Sequence, residues 1–555
     1  MILLRIVVGV LLTAIVVPGF AIIHDPRAIA ADPAVATGAI APRLAGLGDH
    51  AHRVTTSSAQ SQYFFNQGLR LTFAFNHSEA LRSFKEAVRL DPTNAMAYWG
   101  WALVLGPNIN LLMQPAVNTQ AFDAIQAAMA LRDGVSPAER AYIEALSRRY
   151  APVVPDDRGF LDRAYTQAMA DLVASYPDDL DAATLYGAAL MNLSPWDYWN
   201  GDGSPKENTA IILATLQSVV DRNGQHPGAL HYYLHTVEAV HPTRGEEAAD
   251  ELLTLMPGAG HMVHMPSHIY MRVGRYADSF EANRRAAESD AGYISQCRAQ
   301  GIYPLNYYPH NLHFLVWSAM FQGRSEVALA GAREVAQKVP RDMDGNAFGA
   351  FETFLSQPLY VMVRFGLWEA ILAEPRPAAG NRFATGVWHY ARGMAYSNTA
   401  HKRQARRALA ELQSLRDNLG ADYGIGFGTA PLLLNIAELL LRGDMAGKAG
   451  DFDKALSALE RAARLEDSLR YNEPPDWYFP TRHVLGALLI EAGYPREAAV
   501  IYWQDLRKNP ANGYSLFGLQ QALSAQGNDA AAAEVAAQFE RAWSQADVEL
   551  SSSRF

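Results

Sequence analysis

Three observations predict an all-α chain. Across the 555 residues, apolar side chains recur at three- and four-residue steps, the period of a half-buried helix. No alternating run is long enough to compete as a strand. Proline and glycine recur at the intervals expected between the arms of helical hairpins. A chain this long holds two to four domains or one extended repeat array. The array fits better: an α-α superhelix of antiparallel helix pairs with a concave inner face.

The first element is a leader. Residues 1–23 carry one positive charge, Arg5, followed by an apolar run broken at Pro18 and Gly19. Two readings stay open. A secretory signal needs small residues at its cleavage site, and residues 28–31 or Ala21 supply them. An uncleaved anchor needs about 17–25 apolar residues. Either one makes the rest of the chain extracytoplasmic, periplasmic or secreted, and puts any membrane contact in residues 1–31. Residues 32–49 are rich in Ala, Pro and Gly and read as a linker. Three regions follow: 50–225 with irregular inserts at 105–115 and 192–210, a histidine-rich region at 226–345, and a more regular one at 346–555. Inserts of this kind often sit on the working face of a repeat protein.

Composition removes several functions. The net charge is −10 and the pI about 5.9, with no Lys/Arg run, so neither nucleic acid nor a polybasic membrane contact is expected. Cys297 is the only cysteine, which rules out an internal disulfide and a thiolate metal cage. There is no phosphate loop, so no nucleotide cofactor is expected: GAGHMV lacks the GxGxxG spacing. There is no GxSxG elbow.

The repeat itself is visible from residue 65. FNQGLRLTFAFNHSEALRSFKEAVRLDP puts Gly68, Ala80, Phe84, Ala87 and Pro92 at steps of 12, 4, 3 and 5 residues. Gly68 allows close helix approach, Ala80 is small at the crossing, Phe84 fills the gap to the next pair, and Pro92 ends the second helix. Further copies lie at 268–287, 313–336, 485–510 and 515–539, and Gly493 to Gly527 is 34 residues. Looser copies lie near 183–217, 358–373, 388–415 and 433–469. The pattern resembles the tetratricopeptide-repeat family, a 34-residue helix pair, and within it an exported, bacterial, histidine-rich branch with no settled activity. The resemblance covers most of residues 60–545. It implies a right-handed solenoid whose concave groove binds a protein or peptide, and it does not imply catalysis.

The histidines point elsewhere. Nine of the 16 lie between His226 and His313. His231, His235 and Glu238 fall within about 60° on a helix, a face able to hold a metal. His261 and His264 lie 13 and 10 residues before Gly274, and His310 and His313 lie 13 and 10 before Gly323. His483 lies 10 before Gly493. By the resemblance, His261, His264 and His268, then His310, His313 and Trp317, take groove-facing places in successive repeats. Pro266 favours a first helical turn, which would leave His261 and His264 in the lead-in to their helix.

The expected site is therefore a transition-metal centre of His231, His235, Glu238, His261, His264, His268, His310 and His313. Nitrogen and carboxylate donors suit copper, iron, manganese or zinc. The surplus of imidazoles suggests two metals, or further histidines orienting the ligands. The competing expectation is a scaffold that binds a peptide on His and Tyr contacts, without metal. His52 and His77 are weaker candidates. Met256, Met262, Met265 and Met271 read as core or lining, and Tyr232, Tyr233, Tyr270, Tyr303, Tyr307 and Tyr308 mainly as packing. Residues 473–483, with Glu473, Arg482 and His483, are placed to close the groove from the other side.

Overall fold

The computed structural model describes residues 38–297, 306–339 and 349–555. The leader, Tyr303 and the side chain of Cys297 lie outside the described residues. The rest is helical. The only strands among the described residues are Gly424–Ile425 and Gly428–Thr429, paired antiparallel as a small hairpin.

Helix pairs form where the repeat signal predicts them. Helices Ala59–Phe73 and His77–Leu90 are the first pair, and Asn76 caps the second by accepting from Glu79 N–H. Phe84 is fully buried against them, and a Cβ at Gly68 or Gly100 would stand 2.8 or 2.3 Å from its ring. Later pairs are Pro266–Val273 with Tyr276–Cys297, Tyr308–Phe321 with Ser325–Lys338, and Thr481–Glu491 with Pro495–Lys508. Between their arms sit Gly274, Gly323 and Gly493 at φ of 83°, 69° and 85°, the left-handed turn that glycine adopts without strain.

The superhelix curls until its C-terminal repeats meet its middle. Tyr276 donates its hydroxyl to the Pro510 carbonyl at 2.7 Å. Asp547 accepts from Ser325 N–H and Glu326 N–H at 2.6 and 3.0 Å. Trp543 lies against Gly323. One apolar core runs through the N-terminal repeats around Phe65, Trp99 and Tyr142, and a second through the C-terminal repeats around Tyr360, Tyr390 and Trp477. The histidine-bearing helices lie where the two meet, with Met262 and Met265 in the first core and Met271 in the second.

Residues 38–57 are a strap rather than a free linker. Leu44 N–H donates to Gln67, His52 N–H to Asn66, and Val54 N–H to Gln62. The strap reaches the turn before helix Gly260–His264, where Gly258 N–H donates to the Gly46 carbonyl at 2.7 Å.

Two glycines with the same backbone twist test the ring closure. At Gly274 a Cβ would stand 2.6 Å from the Pro510 carbonyl oxygen, whereas at Gly493 nothing lies within 4 Å. Gly493→Ala should cost only the left-handed strain, about 1–2 kcal/mol. Gly274→Ala should cost more, because it also pushes the C-terminal repeats away. Denaturant unfolding with hydrogen exchange around Tyr276 would show the difference, and equal losses would contradict the closure.

Candidate metal centre

Three successive first-arm helices supply the imidazoles. Helix Pro227–Val237 carries His231 and His235 one turn apart, with Glu238 at its C-cap. Helix Gly260–His264 runs into Pro266–Val273 through Met265, whose φ of −50° and ψ of −38° are helical. The expected lead-in is thus itself helix, and His261, His264 and His268 lie on successive turns of one rod. Helix Tyr308–Phe321 brings His310. Gly260 makes the packing possible, since a Cβ there would stand 1.9 Å from an Asp290 carboxylate oxygen.

The imidazoles gather into two groups of three: His231, His235 and His261, and His264, His268 and His310. Within each, one ligand atom per residue lies within 4.8 Å of the others. Nε2 of His231 faces Nε2 of His261 at 3.2 Å, and Nε2 of His264 faces Nε2 of His268 at 3.0 Å. Tetrahedral ligands about 2.0–2.1 Å from a metal sit about 3.3–3.4 Å apart, close to these spacings. The groups adjoin: the His235 and His268 rings are 5.6 Å apart between centroids, and those of His261 and His264 are 5.8 Å apart.

Outer contacts fix which nitrogen carries the proton. Nδ1 of His231 donates to the Phe73 carbonyl at 2.6 Å. The Asn283 amide nitrogen donates to the Ser279 carbonyl and to Ser267 Oγ. Its oxygen is thereby left to accept from His264 Nδ1 at 2.7 Å. Both histidines present a bare Nε2 to their group.

Two carboxylates lie between the groups. Glu238 Oε2 is 3.4 Å from His235 Nδ1 and 3.2 Å from His268 Nδ1, and Glu473 Oε2 is 3.1 Å from His268 Nδ1. These are ion-pair distances without hydrogen-bond alignment. All four oxygens of Glu238 and Glu473, both ring nitrogens of His235, and Nδ1 of His261 and His268 are buried without a hydrogen-bond partner. Left unpaired, each such atom costs about 1–3 kcal/mol, and their concentration in one place marks the centre as a candidate for a bound cation or ordered water.

Burial governs the protonation of the cluster. It lowers His231 to about 3 and His264 to about 4, despite the hydrogen bonds that stabilise their charged forms. Burial, and then the neighbouring imidazoles, hold His235, His261, His268 and His310 well below their ordinary value. Burial pushes Glu238 up, and the Glu473 carboxylate beside it adds to the shift; Glu473 is raised mainly by its own burial. Near neutrality the imidazoles are uncharged and their lone pairs available. The raised acids favour their protonated forms, and a bound cation would work against that shift.

A cavity of about 330 Å³ opens beside the centre. The insert at 105–115 contributes Asn110, the insert at 192–210 contributes Trp196, and the small hairpin contributes Phe427. Trp196 Nε1 donates to Asn110 Oδ1 at 3.1 Å, and Asn110 Nδ2 to the Tyr307 hydroxyl at 3.2 Å. Glu473, Pro474 and Pro475 line the far side, so residues 473–483 do approach from across the groove. Arg482 does not line it. It pairs with Asp467 at 2.9 and 2.7 Å.

The remaining candidates part company with the centre. His313 lines the cavity but joins neither group, and its ring meets Phe354 edge-on at 5.8 Å. Trp317 packs between Phe314 and Phe321. His483 is held by Arg364 and Asp505, and His77 contacts Asn108. Of the described tyrosines, Tyr307 stands against His261, with ring centroids 5.0 Å apart. Sequence reasoning named His52 as a weaker candidate but missed the separate cluster it joins, His50, His52 and His226 around Asp181, at 2.9, 2.8 and 3.1 Å. Burial alone would raise Asp181, but these three histidines hold it well below its usual range. Nδ1 of His226 already accepts from Ala229 N–H, so its Nε2 donates to Asp181. This group is internally satisfied and latches the strap. Its only sequence signal is the alternation of His50 and His52, far from Asp181.

No family model and no curated protein matches the chain. Among solved structures, human IFIT1 bound to PPP-AAAA matches with 12% identity and a TM-score of 0.32, over 87% of this chain and 91% of that one. The APC/C hetero-tetramer Cut9-Hcn1 matches with 11% identity and 0.31, over 87% and 76%. Yeast Tom70 matches with 10% identity and 0.28, over 85% and 90%. These scores are too low to bear on what this chain does.

Proposed function

We propose that this protein is an extracytoplasmic metalloprotein that holds two transition-metal ions side by side, one on each group of three histidines. The observation that carries the reading is the pair of converging three-nitrogen sets in a largely buried interior, flanked by carboxylates without hydrogen-bond partners in the protein. Imidazole and carboxylate donors suit copper, zinc, iron or manganese. Three protein ligands per metal leave a position open, as catalytic sites do, and the adjoining cavity gives a substrate access. A metal pair of this kind supports either hydrolytic or redox chemistry. The peptide-scaffold reading draws on the helical repeats; the cavity beside the histidines, at about 330 Å³, is at the small end for a single small-molecule site.

Mass spectrometry on untagged, chelator-free protein from its own compartment should find two metal equivalents. A His231→Ala/His261→Ala variant and a His264→Ala/His268→Ala variant should each retain about one, and the combined variant none. Well-folded wild type that neither contains metal nor takes up added copper, zinc, iron or manganese would sink the proposal.

Metal loading should release protons, because the ion displaces them from Glu238 and Glu473; a weakly buffered titration with an indicator dye reads this directly. The metal-free protein should lose stability as pH falls. Histidines with depressed folded values contribute stability that is complete above about 6.5 and is lost on acidification toward their folded values. The two raised carboxyls work in the opposite sense above about 4.5, but six imidazoles outnumber them. A melting temperature that rises from pH 7 to pH 4.5 would contradict this.

A further inference from the structure

We infer that the cavity beside the histidines binds a small uncharged phenol, its ring held by the aromatic walls and its hydroxyl turned to the metal pair. This rests on the metal reading above and names the ligand of the same site.

The walls argue for a ring. Trp196, Tyr307, Phe354, Phe427 and Tyr471 all line the cavity, and aromatic rings prefer offset or edge-on aromatic neighbours. Trp196 already makes ring contacts on two sides: it meets His235 edge-on at 4.9 Å and stands tilted to Phe427 at 6.3 Å. Trp196 and Tyr307 are fastened through Asn110, so two walls are set before a ligand arrives. A volume of about 330 Å³ suits one substituted ring.

The charges argue against an anion. No Lys or Arg lines the cavity, while Glu238, Glu473 and Asp476 do. Arg272, the nearest cation to Glu473, is turned to that carboxylate at 3.8 Å and to the Tyr471 ring at 5.5 Å. An anionic substituent turned away from the metals would meet Asp476, with no guanidinium or ammonium among the lining residues to pair with. A hydroxyl carries no such penalty and brings an oxygen donor to metals held by nitrogen.

The test is calorimetric titration of p-cresol into metal-loaded protein, with metal content measured on every sample. 4-Methylcyclohexanol keeps the shape and hydroxyl but loses the aromatic ring, and 4-hydroxybenzoate adds a negative charge. p-Cresol should bind about tenfold more tightly than 4-methylcyclohexanol, and 4-hydroxybenzoate more weakly than p-cresol. Phe427→Ala, a change at a partly exposed hairpin tip, should weaken p-cresol about fivefold with metal content unchanged; Trp196→Leu should do the same. Metal-loaded protein that binds p-cresol no better than 4-methylcyclohexanol, or equally well without the Phe427 ring, would overturn the inference and leave the metal centre standing. Protein that takes up no metal would instead bring down the metal reading, and the phenol site with it.

Discussion

Six imidazoles and two carboxylates share one largely buried interior beside a cavity of about 330 Å³. Groups of this kind normally sit at a surface, where solvent meets their hydrogen-bonding capacity. Here several have neither solvent nor a protein partner, and the penalty falls on the folded state. The surrounding structure is arranged to sustain that penalty. Two apolar cores press from either side, and the curl of the superhelix brings Glu473 from a distant repeat against His268. An open solenoid with the same helices would leave the histidines wet, titrating near their ordinary value, and weakly organised.

The repeat architecture solves the positioning problem cheaply. Successive first-arm helices lie side by side, so residues a turn apart on one helix face residues a turn apart on the next. That alone places His231 and His235 opposite His261, and His264 and His268 opposite His310. What the repeat does not supply is ring orientation. That comes from particular contacts, the Phe73 carbonyl behind His231 and the Asn283 amide behind His264, neither of which belongs to the repeat pattern.

This division explains what could be read in the sequence. The helix pairs were legible because Gly68, Phe84, Gly274 and Gly493 each do a steric job tied to a fixed repeat position. Most of the histidines were legible because helical spacing and repeat register together predict a shared face. The finer assignments were not. Register matches His310 with His261 and His313 with His264, yet His310 stands with His264 and His268 while His313 joins neither group. Arg482 shares the 473–483 segment with Glu473, but Asp467 holds it away from the cavity. Asp181 gave no signal, because His50 and His52 lie more than a hundred residues before it and His226 lies 45 after it, and they meet only when the strap crosses the helix ends. Contacts set by tertiary closure leave little local trace.

The reach of Glu473 into the centre has a consequence for how the protein is made. The proposed ligands span the chain from His231 to His310, and the carboxylate that completes their surroundings is synthesised long after them. The ring that seals the interior closes later still, with Asp547. A nascent chain therefore carries the histidines before the carboxylate and the closed ring that organise them. Only the finished molecule presents both three-nitrogen sets beside their carboxylates. Because intrinsic affinities for these ions follow one fixed order, availability rather than preference commonly decides which ion is captured. The identity of the metal would then be set by the compartment in which the last repeat docks, making the place of folding part of the protein's chemical specificity.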